Sequence, residues 1–358
     1  MSPFVIETRQ LSRRFGKVLA VDGLDLAVER GEIFGLVGPD GAGKTTTLRM
    51  LAAIMDPSAG SATVAGYDTV RQAAAIKQRI GYMAQQFNLY GDLSVQENLD
   101  FYADIFGVRG RQRRERQQRL LHFARLTEFS KRRAGALSGG MKKKLALACA
   151  LIHQPEILYL DEPTTGVDPV SRREFWDILA ELHVQGVTIV ISTPYMDEAE
   201  RCSRVGLLYA GRLVMCDTPE RIKRQVGGEL VELRPAAIAA RAQPGFGAAN
   251  PSGLESAASD GLDAIRPEGF DLAAAVSAIG LLRRAAAITA SLPGVLEIQT
   301  YGDLLHLFID DAALRMPQIA AALADHGLAV ASMRPIQPHM EEAFMSLIQR
   351  QESVVRKE

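Results

Sequence analysis

The chain has 358 residues, 47% of them hydrophobic, and 41 Lys and Arg against 42 Asp and Glu leave a net charge of −1. That length predicts two domains or one large one with a sizeable core, and the balanced charge gives no global attraction to nucleic acid or an anionic membrane. The three scattered cysteines lack metal-ligand spacing, and no apolar run or N-terminal segment has the pattern of a membrane span or secretory signal, so reduced thiols and a chain that does not itself cross a membrane are expected.

Residues 4–37 alternate short apolar runs with turns at Asp22-Gly23 and Arg30-Gly31, and read as strands. The last of them, Ile33-Phe34-Gly35-Leu36-Val37, leads into Gly38-Pro39-Asp40-Gly41-Ala42-Gly43-Lys44-Thr45. This satisfies Gly-x-x-x-x-Gly-Lys-[Ser/Thr], the phosphate-binding P-loop. Thr45 to Ile54 follows, with Leu48, Leu51 and Ile54 on one helical face. A strand, a Gly-rich loop and a helix in this order aim backbone N–H groups and a helix N-terminus at phosphates. Phosphate binding is therefore expected in place of a plain glycine-rich turn.

Further short strands are predicted at Thr63–Gly66 and Ile80–Met83. From Ser94 to about Ala148 the pattern is helical, and Ser94 with Glu97 forms a capping-box signal. The basic run Arg109–Arg116 has no interleaved aromatic residue and reads as a solvated helix start, not a nucleic-acid surface. Leu137-Ser138-Gly139-Gly140-Met141 precedes a helix over Lys142–Leu151. A hydroxyl, unencumbered N–H groups and a helix dipole there make a second anion site. The buried strand Ile157–Leu160 closes on Asp161-Glu162. A carboxylate at such a strand end, beside a P-loop, can hold Mg²⁺ directly or through water, with the Thr45 hydroxyl as a further ligand. Glu162 is then placed to orient or deprotonate a water attacking a γ-phosphate. A helix at Ser171–Val184 and a strand at Val187–Ile191 complete an α/β layered core.

The composition shifts after Pro235. Residues 235–270 are rich in Ala, Gly, Pro and Ser and predict a mobile linker or insertion. Patterning then returns: a helix over Asp271–Ser291, a hairpin of Val295–Thr300 and Leu304–Ile309, a helix over Leu314–Asp325, a strand at Ala329–Met333 and a helix over Met340–Gln349. With Leu230–Leu233 in front, the order is β-α-β-β-α-β, a ferredoxin-like arrangement.

These motifs, in this order and spacing, make the chain resemble the nucleotide-binding subunits of ABC transporters over about residues 4–225. Gly38–Thr45, followed by Thr46, matches Walker A; Gln85 after Gly81-Tyr82-Met83-Ala84 matches the Q-loop; Leu137–Met141 matches the signature segment. Ile157–Glu162 matches Walker B, and Gly166-Val167-Asp168 the D-loop. The resemblance implies a P-loop NTPase fold of class α/β. A nucleotide-binding domain at 1–228 would carry a helical subdomain at about 87–145, and a small α+β domain at 229–349 would follow. It also implies ATP and Mg²⁺, with Glu162 and Gln85 catalytic and Thr45, Gln85 and Asp161 around the metal. ATP would lie on Gly38, Asp40, Gly41, Ala42, Gly43, Lys44, Thr45 and Thr46, closed over by Ser138, Gly139, Gly140 and Asp168 of a second such domain. Phe15 falls where the family places an adenine-stacking aromatic; a core Phe is the equal alternative. The Pro338–Phe344 segment and Thr193–Glu200 resemble the YbhF-like multidrug group of ABC-2-type exporter ATPases. That resemblance implies an ABC-2-type membrane permease as partner, homodimers or heterodimers with a second ABC ATPase, no nucleic acid, and a peripheral place on the cytoplasmic face of the plasma membrane.

Three positions depart from the family pattern: Asp40 for Asn, Met141 for the signature Gln, and Pro194 for the switch histidine. Proline has neither a side-chain donor nor a backbone N–H. The site either tolerates this, with Glu162 carrying the chemistry, or turns over slowly beside a second ATPase. A ribosome factor of this family would carry two motor domains, and a chromosome-type ATPase a long coiled coil between Thr45 and Ser138; the sequence has neither. A regulatory module that holds ATP without turnover has Pro194 for it and Lys44, Asp161 and Glu162 against it.

Overall fold

A computed structural model describes residues 3–86, 89–225, 227–237 and 272–355. The chain divides into two compact units, Met1–Gln225 with His339–Glu358, and Val226–Pro338.

The first unit opens with two long antiparallel strands, β1 (Phe4–Phe15) and β2 (Val18–Glu29). Buried Ile6, Leu11, Leu24, Leu26 and Val28 form their inner face. β3 (Ile33–Val37) is buried at every residue, as expected of a strand covered on both faces. α1 (Lys44–Leu51) is shorter than the span to Ile54 predicted from the sequence. Ala53 turns to a left-handed φ of 53°, so Ile54 points into solvent while Leu48 and Leu51 are buried. β4 (Ala59–Val64) and β5 (Tyr67–Asp68) complete an antiparallel sheet of order β2-β1-β4-β5. The strand expected at 63–66 thus starts earlier and stops at Val64, where Ala65 and Gly66 turn with positive φ.

After α2 (Ala73–Lys77) and β6 (Ile80–Met83) come α3 (Val95–Ile105), α4 (Gly110–Phe123) and α5 (Gly139–Leu151). The predicted capping box at Ser94 and Glu97 forms and starts α3. The helical region is interrupted between α4 and α5 by two single-turn 3₁₀ segments. Val95, Leu99, Leu121, Leu126, Leu137 and Leu145 are its buried core. The basic run lies at the start of α4, with Arg113 paired to Asp100 and Asp104 and Arg111 to Glu115.

β7 (Ile157–Asp161), α6 (Pro169–Val184), β8 (Thr188–Thr193), α7 (Met196–Ala199), β9 (Arg204–Tyr209), β10 (Arg212–Asp217) and α8 (Pro219–Arg224) follow. The central sheet has the order β10-β9-β3-β8-β7-β6. Its strands run parallel except β10, which pairs antiparallel with β9. The β9–β10 hairpin was not expected. Its turn, Ala210-Gly211, has positive φ at both residues, but Ala-Gly is a weaker turn signal than Asn-Gly.

The second unit contains β11 (Glu229–Ala237), α9 (Leu272–Ala290), β12 (Val295–Tyr301), β13 (Leu304–Ile309), α10 (Ala312–Asp325) and β14 (Leu328–Ile336). The sheet order β12-β13-β11-β14, antiparallel throughout, is the ferredoxin-like arrangement. β11 runs on through Pro235–Ala237, so the first three residues of the linker expected from 235 are strand. Pro235 sits at a register shift against β14, where a missing N–H is tolerated. Residues 238–270 of that expected linker lie outside the described residues.

α11 (Met340–Val355) belongs to the first unit, not to the C-terminal domain in which its sequence position placed it. It packs on α7 and α8, burying Met340, Ala343 and Phe344, and Met340 N–H donates to Glu200 Oε1 at 3.3 Å. Its apolar face needed a partner, and the first unit supplies one. Among the described residues no helix is long and apolar enough to cross a membrane.

Candidate functional site

β8 lies between β3 and β7 in the sheet, with Val37 opposite Thr193 and Asp161 opposite Ser192. The segments beginning at Gly38, Pro194 and Glu162 therefore leave the sheet side by side at its carboxyl edge, where open α/β sheets take ligands. Backbone bonds tie them together: Gly38 N–H to Thr193 O at 3.3 Å, and Glu162 N–H to Ser192 O at 3.1 Å.

The loop between β3 and α1 needs its glycines. A Cβ on Gly38 would lie 2.1 Å from the Leu208 carbonyl oxygen, and Gly43, at φ 99°, would meet the Ala20 oxygen at 2.4 Å. No side chain caps α1, which leaves its first-turn N–H groups for an anion. Ala42 is buried, Gly41 and Asp40 are exposed, and Thr46 is half-buried. Lys44 is only 4% exposed; its ammonium donates to Gly38 O at 2.8 Å and Pro39 O at 3.0 Å and lies 3.3 Å from Glu162 Oε1. The Asp40 carboxylate is 3.9 Å from it.

Asp161 collects hydroxyls. Thr45 Oγ1 and Ser192 Oγ each donate to its Oδ1 at 2.8 Å, and the Tyr82 hydroxyl donates to Oδ2 at 3.4 Å. Burial, and then the Asp161 charge, push the Tyr82 hydroxyl up to about 12, so it stays a donor. Glu162 is 6% exposed and has a left-handed φ of 47°. Such a backbone costs about 1–3 kcal/mol and persists where surrounding contacts over-determine it. Here its N–H bonds both the carbonyl and, at 3.1 Å, the hydroxyl of Ser192. Its Oε2 accepts Gln85 Nε2 at 2.8 Å and Thr165 Oγ1 at 3.4 Å. The Gln85 amide nitrogen is thus engaged by Glu162, which leaves its amide oxygen for a cation.

Thr45 and Asp161 present hard oxygen donors, which suits Mg²⁺, a cation that keeps waters and substrate oxygens in its shell. Among the described residues no group of three or more His, Cys, Asp or Glu forms an all-protein metal cage. The donor set fits an ion held jointly by protein and a phosphate ligand.

Ser138, Gly139, Gly140 and Asp168 gather elsewhere. Ser138 caps α5 and accepts Met141 N–H at 3.3 Å; Asp168 caps α6 and accepts Ser171 N–H at 2.9 Å. The backbone N–H and then the hydroxyl of Ser171 hold the Asp168 carboxyl below the usual range. A Cβ on Gly140 would lie 2.5 Å from Ser171 Oγ, so the two helix starts abut. Ser138, Gly139 and Asp168 are exposed, and the hydrogen bonds of Ser138 and Asp168 stay within their own helices. Phe15 is 42% exposed, with the Arg13 guanidinium 4.8 Å from its ring centre. This removes the core-Phe alternative, and makes Arg13 a competitor for one ring face.

Around Pro194 the chain is held by Glu198, which is fully buried. Its carboxylate accepts Thr164 Oγ1 at 2.6 Å, Thr193 Oγ1 at 2.7 Å and Arg172 Nε at 2.7 Å. Sequence reasoning missed Ser192, Tyr82 and Glu198. Ser192 had a signal, a hydroxyl ending the apolar run Val187–Ile191; the others had none.

A family model described as ABC transporter matches residues 21–165. The chain is 46% identical over 221 residues to the "Probable multidrug ABC transporter ATP-binding protein YbhF" of Escherichia coli (strain K12), covering 62% of this chain but 38% of that protein. It is 39% identical over 244 residues to the "Daunorubicin resistance ATP-binding protein DrrA2" of Streptomyces coeruleorubidus, covering 68% of this chain and 75% of that one. The "Nod factor export ATP-binding protein I" of Burkholderia pseudomallei (strain 1710b) is 42% identical over 235 residues, covering 65% and 77%. Among solved structures, cbiO1 of Clostridium perfringens, part of the ABC transporter complex cbiONQ, superposes with TM-score 0.58 at 25% identity, covering 63% of this chain and 92% of that one. A dimeric ATP-binding cassette in a post-hydrolysis state with ADP and Pi gives TM-score 0.55 at 25% identity, covering 60% and 98%.

Proposed function

We infer that this chain, which belongs to the ABC transporter ATP-binding family, works as one half of a dimeric export motor. As a member of that family it is an ATP-binding transporter subunit and an ATPase. We further assign the loop from Gly38 to Thr46 to the phosphates, with Lys44 as their main cation. Phe15 stacks the adenine.

Thr45 and Asp161, with the Gln85 amide oxygen, would hold Mg²⁺, whose charge would offset that building up on the phosphate oxygens. Glu162 accepts a proton from the attacking water, and Lys44 and Gln85 hold its carboxylate ready. Ser138, Gly139, Gly140 and Asp168 serve the ATP of a second chain. The partner is an ABC-2-type permease at the cytoplasmic face of the plasma membrane, and the direction is export, because the relatives YbhF, DrrA2 and the Nod factor protein carry multidrug, drug-resistance and export names.

The observation that carries this reading is the placement of the two half-sites. Lys44, Asp161, Glu162 and Gln85 make one network, while Ser138 and Asp168 are exposed on helices of their own. The test is Glu162→Gln with saturating ATP and Mg²⁺, read by size-exclusion chromatography. A stable ATP-dependent dimer is expected, and an unchanged monomer overturns the reading.

Pro194 favours a second reading, a slow site that pairs with another ATPase. It sits between the P-loop and Glu162 and offers no donor. Phosphate release that stays at background even with the permease bound supports this reading; robust turnover of the chain alone removes it.

A further inference from the structure

Lys143 is a buried cation to which the reading above gives no task. It lies on α5, five residues beyond Ser138, and is 8% exposed. Its ammonium donates to the Gln85 carbonyl oxygen at 3.1 Å. Burial pulls its pKa down, while the charges of Glu162 and then Asp161 pull it up. A lysine stays buried in this way only where polar or charged groups offset the loss of water. Gln85 in turn donates its amide to Glu162 Oε2 at 2.8 Å, and Glu162 Oε1 is 3.3 Å from Lys44.

We propose that Lys143 is a positioning residue for hydrolysis, fastening the Ser138-bearing helix to the Gln85 backbone so that the Gln85 amide holds Glu162 in register. The bond runs from one half-site of the chain to the other. Ser138 caps the N-terminus of α5, and Lys143 follows on its second turn. A small rotation of α5, of the kind that docking of Ser138 on a partner's ATP brings, is carried by the Lys143 ammonium to the Gln85 backbone. The Gln85 side chain then changes its hold on Glu162. Closure and proton acceptance are coupled through two hydrogen bonds, without the switch histidine that Pro194 replaces.

This inference rests on the assignment of Glu162 as the base, and the experiment separates the two. ATP turnover of the full chain is measured for Lys143→Met, Lys143→Gln, Lys143→Arg, Gln85→Ala, Lys143→Met combined with Gln85→Ala, and Glu162→Gln, with thermal unfolding of each as a folding control. Lys143→Met and Lys143→Gln should lower kcat about tenfold with little change in KM for ATP. Lys143→Arg should recover most of the loss, because a guanidinium can still reach the carbonyl. In the Gln85→Ala background Lys143→Met should have little further effect, since the amide through which it acts is gone. Unchanged kcat in Lys143→Met, no recovery by arginine, or full additivity with Gln85→Ala each overturns the proposal. Retained turnover in Glu162→Gln would overturn the base assignment itself, and with it the proposal.

Discussion

The Lys44 cluster and the Ser138 helix start are built on opposite plans. Lys44, Asp161 and Glu162 are 4%, 1% and 6% exposed and are one another's partners through Thr45, Ser192 and Gln85. Ser138 and Asp168 are exposed, and each caps its own helix. Buried charges are costly unless paired, so the first cluster fixes its geometry through its own contacts. The second is kept in shape by capping and by the close approach of Gly140 to Ser171, with Ser138 and Gly139 exposed at the start of α5. In the dimeric motor proposed above, the difference divides chemistry from closure: one region would be pre-organised for the reacting phosphate, the other displayed for a ligand that another molecule holds.

Breaking the buried cluster should have the largest effect. Glu162→Gln removes the proposed base while keeping its shape, and ATP turnover should fall about 10²–10⁴-fold with ATP binding retained, as read by phosphate release and nucleotide titration. Ser138→Arg attacks the displayed cluster. Turnover should fall about a hundredfold, while the ATP affinity of the separate chain, measured by fluorescence titration, stays where it was.

Glu174→Gln probes what steadies the displayed helices. Glu174, on α6, pairs with Lys144, on α5 and 8% exposed, and with Arg125. Removing its charge should cost about 2 kcal/mol at neutral pH in urea unfolding. The Lys144 hydrogen bond, before other causes, holds the Glu174 carboxyl below its ordinary value. A depressed carboxyl stabilises above its unfolded pKa and loses that contribution as pH falls through the folded one. The difference between the two proteins should therefore be full above about pH 5 and shrink below about pH 4.

Pro194→His asks whether the buried cluster lacks a donor. Turnover should rise about tenfold, and an unchanged rate would show that Glu162, Gln85 and Lys44 suffice. The smallest effect is expected at the edge of the site. Phe15→Ala should weaken ATP binding by about 1 kcal/mol, near fivefold, by isothermal titration, because one ring face already carries Arg13.

The buried cluster was legible in part. The P-loop is local, so its residues, flanking strand and helix could be read directly, and so could Asp161-Glu162 at the end of an unbroken apolar strand. The Ser94 capping box and the β-α-β-β-α-β order of the second unit were legible for the same reason. What escaped depends on partners distant in sequence. That β8 lies between β3 and β7, and so sets Pro194 between Gly38 and Glu162, follows from strand pairing, not from any local pattern. Lys143 reads as one of three consecutive lysines, and only its approach to Gln85 sets it apart. α11 carries a clear apolar face, but nothing in its sequence says that the face closes on α7 and α8.

The division between the two clusters is tested most directly by splitting their defects between chains. One chain carries Lys44→Ala, the other Ser138→Arg, both with Glu162→Gln, and light scattering reads their mass with ATP and Mg²⁺. Alone, each chain can build no intact composite site and should stay monomeric. Mixed, they share one site made from the intact Lys44 of one and the intact Ser138 of the other, and a heterodimer holding one ATP should form. Monomers in the mixture, or dimers of either chain alone, would contradict the account.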